Sequence, residues 1–230
     1  MEKGDFVKID FVATRKSDGK IIDTTIESVA KEAGIYSKDY SFKPMLVILG
    51  RNEVIEGLED EILKMNVGEE KEFDVEPEKA FGERDKNKIV TIPQKNFEKQ
   101  NIKPEEGKLI EVDGNRGVIK SVNSGRVVVD FNHPLAGETI HYKLKVVEVL
   151  KTDEEKIKAL LERYSLNAKP KIEEKTLIIE VAKEADKGWN FIQSKVYFIY
   201  DVFSIFNFET IKFVEEYAKP SRGAWKKPRV

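Results

Sequence analysis

One stretch constrains the fold of this chain more than any other: VILGRNEVIEGLEDEILKMNVGEEKEFDVEPEKAFGE, Val47–Glu83. It reads as a strand, a glycine turn, a short amphipathic helix, a second glycine turn and another strand. Val54, Ile55, Leu58, Ile62, Leu63 and Met65 recur near helical spacing, which predicts one buried helix face. Glu53, Glu56, Glu59, Asp60 and Glu61 cover the opposite face. Gly50 and Gly68 punctuate the two ends. Glu72–Val75 then alternates as a strand, and Pro77 stops it.

Three further segments extend the pattern. Asp5–Asp23, DFVKIDFVATRKSDGKIID, holds two alternating strands around Asp18-Gly19, a hairpin signal. Phe42–Pro44 runs into a strand at Met45–Leu49. Asp130–Val149, DFNHPLAGETIHYKLKVVEV, reads as a turn followed by a long alternating strand.

Together these segments resemble the FKBP-type peptidyl-prolyl cis–trans isomerases over residues 1–150, with an insertion inside the match. The shared marks are the DG turn with Ile21, Ile22 and Asp23, then Leu49-Gly50, Val54–Glu59, Met65–Glu69, Pro77–Glu83 and Asn132–Gly137. Six such strings in order, at compatible spacing, are far more specific than any one. The NHPLAG string at Asn132–Gly137 points to the SlyD-like branch, which carries a separate flap inserted before this motif. The residues beyond the match suggest the long archaeal type with an extra C-terminal domain.

The resemblance implies an α+β fold: an antiparallel sheet wrapped on a short helix, a small all-β flap and a C-terminal α/β domain. The expected boundaries are 1–86 with 133–151 for the isomerase body, 87–132 for the flap and 152–230 for the last domain. Within the insertion, Ile89–Pro93, Leu109–Val112, Gly117–Val122 and Arg126–Phe131 read as strands. Asn96–Gln100 reads as a turn or short helix, and Asp113–Asn115 and Asn123–Gly125 as hairpin turns. Beyond it, Thr152 and Glu155 form a capping box for a helix to about Arg163. Pro170 is expected to end a connection, and Thr176–Val181 and Thr210–Tyr217 to be strands. Trp189, Ile192, Val196, Ile199, Phe203 and Phe206 repeat at helical spacing. This last region is expected to fold as an independent unit. Its aromatic excess, with Phe191, Phe198 and Ile205 as the surplus face, suggests a homodimer through residues 152–230.

Composition excludes several classes. The 40 basic and 42 acidic residues leave a net charge of −2, so no global field favours nucleic acid or an anionic membrane. No cysteine is present, which removes disulfides and thiolate metal sites. His133 and His141 are the two histidines and form no metal-ligand pattern, so neither a metal nor another cofactor is expected. MEKGDFVKIDF lacks a signal-peptide pattern, and no apolar run approaches the ~20 residues that span a bilayer. The expected location is cytoplasmic.

Prolyl isomerisation makes and breaks no covalent bond, and its barrier of ~18–20 kcal/mol comes from amide resonance lost on twisting. The chemistry needs an apolar pocket for the proline ring and a few polar groups for the twisted amide. The resemblance places Phe11, Ile22, Asp23, Met45, Val54, Ile55, Leu58, Phe81 and Tyr142 in that pocket. By pattern alone Ile22, Met45, Val54 and Leu58 would be ordinary core residues. Ile22, Met45 and Leu58 are less aromatic than the macrolide-binding members, and Phe11 and Phe81 lack the usual tyrosine hydroxyls. Weak macrolide binding is the expectation. The flap of the resembled branch binds unfolded chains, which implicates Ile89, Val90, Ile92, Phe97, Val118, Val127 and Val129, although most must also fill a small core. The expected partners are unfolded or nascent polypeptides with X-Pro bonds. Rival readings are a holdase with feeble turnover and a ribosome-docked factor using the basic tail Arg222–Arg229.

Overall fold

The computed structural model describes residues 1–99, 102–112, 114–183 and 188–217. Gln100, Asp113 and the tail Arg222–Arg229 lie outside the described residues. The elements run β1 (Phe6–Arg15), β2 (Lys20–Thr24), α1 (Glu27–Glu32), β3 (Met45–Ile48), α2 (Glu56–Lys64) and β4 (Glu70–Val75). The insertion adds β5 (Ile89–Pro93), α3 (Gln94–Glu98), β6 (Leu109–Val112), β7 (Asn115–Asn123) and β8 (Arg126–Asp130). The chain closes with β9 (Ile140–Leu150), α4 (Asp153–Arg163), β10 (Ala168–Glu173), β11 (Thr176–Val181), α5 (Trp189–Ile205) and β12 (Thr210–Val214). The architecture is α+β, as expected. It divides into two compact units, one of Met1, Asp10–Pro44 and Asn52–Val146, the other of Glu2–Ile9, Met45–Arg51 and Val147–Val230.

In the first unit the sheet follows the order β2-β1-β9-β4. On β9, Ile140, Tyr142, Leu144 and Val146 point inward and the residues between them outward, the period-two alternation of a half-buried strand. Helix α2 buries Gly57, Leu58 and Ile62 and keeps acidic Glu56 in its first turn and Lys64 in its last, complementing its dipole. Gly57 permits a close approach: a Cβ there would lie 2.4 Å from the Val75 Cγ1 on β4. Helix α1, absent from the sequence reading, packs against β2 with Ala30 fully buried. It is six residues long and starts at Ile26 without a side-chain cap, so it carries little local signal.

The insertion is a four-stranded antiparallel sheet in the order β5-β8-β7-β6. Its core is Phe97, Ile110, Ile119, Val127 and Val129. The β7–β8 hairpin closes through Ser124-Gly125, both at positive φ, the geometry that matches strand twist in a two-residue loop. Gly117 gives β7 room under Phe131 and Val129, whose side chains would lie 2.8 Å from a Cβ at that position.

In the second unit β3 pairs antiparallel with Phe6–Ile9 of β1. Helix α4 starts at the expected capping box, Thr152 Oγ1 accepting from the Glu155 N–H while the Glu155 carboxylate accepts from the Thr152 N–H. Strand β10 pairs antiparallel and β12 parallel with β11, so α5 is the crossover of a β-α-β unit. Pro170 lies inside β10 and does not end the connection: β10 is an edge strand, where a missing N–H is tolerated. The last strand stops at Val214, short of Tyr217.

Two expectations for this region are corrected. Residues 152–230 are not self-contained, because Phe6 and Ile48 complete the core of Ile157, Leu160, Leu177, Ile179, Phe198 and Val202. The Arg163 guanidinium also donates to the Leu46 carbonyl at 2.7 Å, and Arg51 pairs with buried Asp201 at 2.9 Å. The surplus face of α5 is also not Phe191, Phe198 and Ile205. Phe198 is fully buried, Phe191 nearly so, and half-buried Ile205 packs on the same core. The exposed stripe is Trp189, Ile192, Val196, Tyr197, Tyr200 and Phe203. Because α5 is apolar nearly all round, periodicity cannot choose the inward face, and the sheet beneath it does. No described helix is long and apolar enough to cross a membrane.

Candidate functional site

Phe11 on β1 and Tyr142 on β9 are both buried, with ring centroids 6.0 Å apart. Phe73 on β4 faces Tyr142 as its cross-strand partner and stacks on it at 5.9 Å with the planes 17° apart. The backbone of Phe11 is held by two buried threonines. Its N–H donates to Thr25 Oγ1 at 3.0 Å, and its carbonyl accepts from Thr24 Oγ1 at 2.8 Å. Thr25 Oγ1 donates onward to Asp10 at 2.8 Å. These threonines escaped the sequence reading, since a TT pair at a strand end is common. Their signal is positional, directly after Asp23.

Asp23 sits at the rim, still reached by solvent, and its Oδ1 accepts from the Thr24 N–H at 2.8 Å. Crowding around the carboxylate pushes its pKa up against that hydrogen bond. Burial pushes the Tyr142 hydroxyl up to about 12, and the negative charge of Asp23 adds to the effect. The carboxylate and the Tyr142 hydroxyl therefore feel one another across an apolar floor. A hydroxyl pushed that high keeps its proton at neutral pH and is no proton-transfer base there.

The other expected residues take up varied positions. Val54 and Ile55 are half-buried at the entry to α2, and Leu58 is buried beneath it. Ile22 is half-buried on β2, and Met45 is half-buried at the head of β3 in the second unit. Phe81 is half-buried in the turn after β4 and stacks on His133, with centroids 4.6 Å apart and planes parallel. In the sequence His133 belongs to the NHPLAG string and forms no metal-ligand pattern. Its Nδ1 instead accepts from the Leu135 N–H at 3.1 Å, which fixes the ring over Phe81. Among the described residues no group of three or more His, Cys, Asp or Glu is placed to hold a metal.

Two chain segments join this region to the insertion, and they are clasped together. Asn132 accepts from the Asp85 N–H at 2.9 Å and donates to the Asp85 carbonyl at 2.9 Å and to Asp130 at 2.8 Å. Arg84 pairs with Asp130. Burial alone would raise the Asp130 carboxyl, but hydrogen bonds from Asn132 and the charge of Arg84 hold it below the usual range. The Gly137 N–H donates to the Gly82 carbonyl at 2.8 Å, so the clasp reaches the Phe81 turn.

On the insertion, the expected chain-binding residues separate. Phe97, Val127 and Val129 are at most 3% exposed and belong to the core, so a passing chain does not reach them. Ile89 and Val90 are exposed, and Ile92 and Val118 half-buried. Val90 and Ile92 line an open groove of about 460 Å³ together with Lys88, Val112, Asn115 and Phe131.

Comparison with known proteins adds three matched regions. The family described as FKBP-type peptidyl-prolyl cis-trans isomerase matches residues 1–98. The families described as FKBP26, IF domain, and FKBP26_C-terminal match residues 90–135 and 153–218. The short-type peptidyl-prolyl cis-trans isomerase of Methanocaldococcus jannaschii is 41% identical over 155 residues, covering 67% of this chain and 98% of that protein. The FKBP-type isomerase SlyD of Helicobacter pylori is 33% identical over 142 residues, covering 58% and 76%. An FKBP-type 16 kDa isomerase of Escherichia coli is 38% identical over 112 residues, covering 46% and 74%.

Proposed function

The chain belongs to the family of FKBP-type peptidyl-prolyl cis–trans isomerases, and we propose that it serves in the cytoplasm as a folding helper with separate sites for turnover and for holding a chain. The isomerase activity follows from the family. The assignment of its parts rests on one observation: buried Phe11 and Tyr142 with half-buried Phe73 stacked on Tyr142, and the Asp23 carboxylate at the rim. A proline ring seated on this floor leaves water. The planar amide, with its larger dipole, loses more solvation there than the twisted form, and the barrier falls. Asp23 orients the Tyr142 hydroxyl and the bound amide and exchanges no proton. Phe81, held by His133, closes one wall, with Ile22, Val54, Ile55 and Leu58 as the remaining apolar lining.

The body of residues 1–86 and 133–151 then carries turnover, and residues 87–132 hold unfolded chains. The groove beside Val90 and Ile92, with exposed Ile89 next to it, supports this division, as does the clasp of Arg84, Asp85, Asp130 and Asn132 at the seam. Holding a chain on the insertion raises the effective concentration of its prolines at the pocket. A protease-coupled assay on a proline peptide tests the pocket. Phe81→Ala removes an aromatic wall and lowers turnover about tenfold, with cooperative unfolding retained. Turnover at the parental level removes Phe81 from the site. A parental chain with no measurable turnover favours the holdase reading, for which the absent aromatics at Ile22 and Leu58 speak.

A second observation favours self-association through the C-terminal region. Trp189, Ile192, Val196, Tyr197, Tyr200 and Phe203 form an exposed apolar stripe along α5, and two-fold pairing of identical chains covers such a stripe with one interface.

A further inference from the structure

The second unit holds a cavity of about 430 Å³ that takes no part in the reading above. Its walls come from the start of the chain, the turn after β3, the first turn of α4 and the end of α5. Ile48, Leu49, Ile205 and Phe206 supply the apolar part, and Phe206 leans on the buried Phe6 ring at 6.1 Å. Lys3, Arg51 and Lys156 bring three cations to the same cavity from three separate segments.

Each cation is held in place. The Gly4 N–H donates to the Leu49 carbonyl at 2.8 Å and the Leu49 N–H to the Asp5 carbonyl at 3.0 Å, which ties the start of the chain to the end of β3. The Lys3 stem then crosses Gly50, where a Cβ would come within 3.0 Å of it. The Arg51 guanidinium donates to Asp201 Oδ1 at 2.9 Å and to Ser204 Oγ at 2.9 Å. Asp201 is itself buried, and its second oxygen accepts from the Tyr164 hydroxyl. The Lys156 ammonium lies 5.6 Å over the Phe6 ring.

The charges do not cancel. Among the described residues that line the cavity Asp153 is the only acid, and neither Lys3 nor Lys156 has a salt-bridge partner among the described residues. Asp153 and Asp201 offset two of the three positive charges, and a surplus of one remains. Such a cavity complements a monoanion, and its apolar wall calls for a hydrocarbon body beside the charge. A peptidyl-prolyl isomerase handles polypeptides, and a carboxylate next to an apolar side chain supplies both features.

We propose that this cavity is a further peptide site, which binds one carboxylate carried beside an apolar side chain, at a chain end or on an Asp or Glu. Lys3 and Lys156 receive the carboxylate through charge-assisted hydrogen bonds, with Arg51 as the fixed third cation, and the apolar side chain lies on Ile205 and Phe206. All of these residues belong to the second unit, so the site shares nothing with the Phe11–Tyr142 floor.

The test is calorimetry on the full chain at low salt. The probes are acetyl-Phe-Phe with a free acid end, the same dipeptide as its amide, acetyl-Phe-Glu-Phe amide, and inorganic phosphate. At least one of the two acidic peptides should bind about tenfold more tightly than the neutral amide, the scale of one hydrogen bond to a charged group. The tighter of the two tells whether the carboxylate is a chain end or a side chain. Lys3→Gln and Lys156→Gln should each lower that affinity about three- to fivefold, the upper range for an exposed ion pair, and leave the amide unchanged. Lys158→Gln removes the same charge from α4 outside the cavity, where Lys158 pairs with Glu154, and should leave binding at the parental value. Thermal midpoints near the parental value in all three variants separate a loss of binding from a loss of fold. Equal affinity for acid and amide, or equal losses in all three variants, overturns the site. Phosphate that binds as tightly as the peptides, and is lost in the same variants, overturns the peptide assignment.

Discussion

The insertion and helix α5 are both rich in apolar residues and use them in opposite directions. In the insertion, Phe97, Ile119, Val127 and Val129 are drawn inward, because a unit of this size cannot otherwise exclude water from its centre. Among its described residues, what remains exposed at the surface is three aliphatic side chains, Ile89, Val90 and Leu109. In α5, the sheet of β10, β11 and β12 covers one face of a 17-residue helix, and Phe198 and Val202 satisfy it. On the opposite face each turn leaves a large side chain outside, from Trp189 to Phe203, with Tyr200 at 69% exposure. A count of hydrophobic residues does not separate a core from a contact surface. The ratio of apolar side chains to the area available to cover them does.

The largest test of this contrast is in the two cores. Phe97→Ala and Phe198→Ala should each cost about 3–5 kcal/mol, the usual range for a buried phenylalanine. The consequences should differ. Phe97→Ala should abolish hydrogen-exchange protection across residues 87–132 and leave turnover of a short proline peptide near parental. Phe198→Ala should lower the thermal midpoint and loosen Phe6 and Ile48, which share its core. Equal loss of small-peptide turnover in Phe97→Ala would tie the insertion to the pocket more closely than the contrast allows.

A smaller effect is expected at the seam of the insertion. The folded-state pKa of Asp130 is depressed, so its contribution is complete above the ordinary carboxylate range and is lost as pH falls through the folded value. Protection of residues 87–132 should fall on acidification from about pH 5 towards pH 3. Asp130→Asn should remove that dependence and lower neutral-pH stability by about 1.5–3 kcal/mol, the scale of a hydrogen bond to a charged group. A variant that retains the parental acid dependence would move the effect to another carboxylate.

The smallest stability effects belong to the exposed positions, where function should respond instead. Ile89→Ser with Val90→Ser, and separately Tyr200→Asp, should each change stability by no more than about 0.5 kcal/mol. The first pair should weaken catalysed refolding of a proline-limited protein several-fold with small-peptide turnover unchanged. Tyr200→Asp should halve the mass measured by light scattering at tens of micromolar. A parental chain that is already monomeric there would leave the α5 stripe without this role.

Legibility followed the range of the interaction. Strands Ile89–Pro93, Leu109–Val112 and Thr176–Val181, the Thr152 cap and the family motifs are carried by neighbours in sequence, and each was readable residue by residue. Asp23 and Tyr142 were nominated by motif, and the Asp23 charge helps raise the Tyr142 hydroxyl. The threonines that lock Phe11, the stack of His133 on Phe81 and the convergence of Lys3, Arg51 and Lys156 on one cavity were not visible. Each joins residues whose spacing follows no helix or strand period. Pro170 was misread because the rule against proline in strands weakens at a sheet edge, and edges are a property of the assembled sheet.

Apart from α1 and β10, the sequence by itself determined the element types, the hairpin turns, the Thr152 cap and the family, since these depend on contacts a few residues apart or on strings of fixed order. Only the tertiary structure decided which face of α5 is inward, which valines of the insertion are core and which strand completes the last core. Those outcomes depend on how much area the rest of the chain offers for burial. Phe6 and Phe198 share a core although most of the chain separates them, and no local periodicity records that pairing.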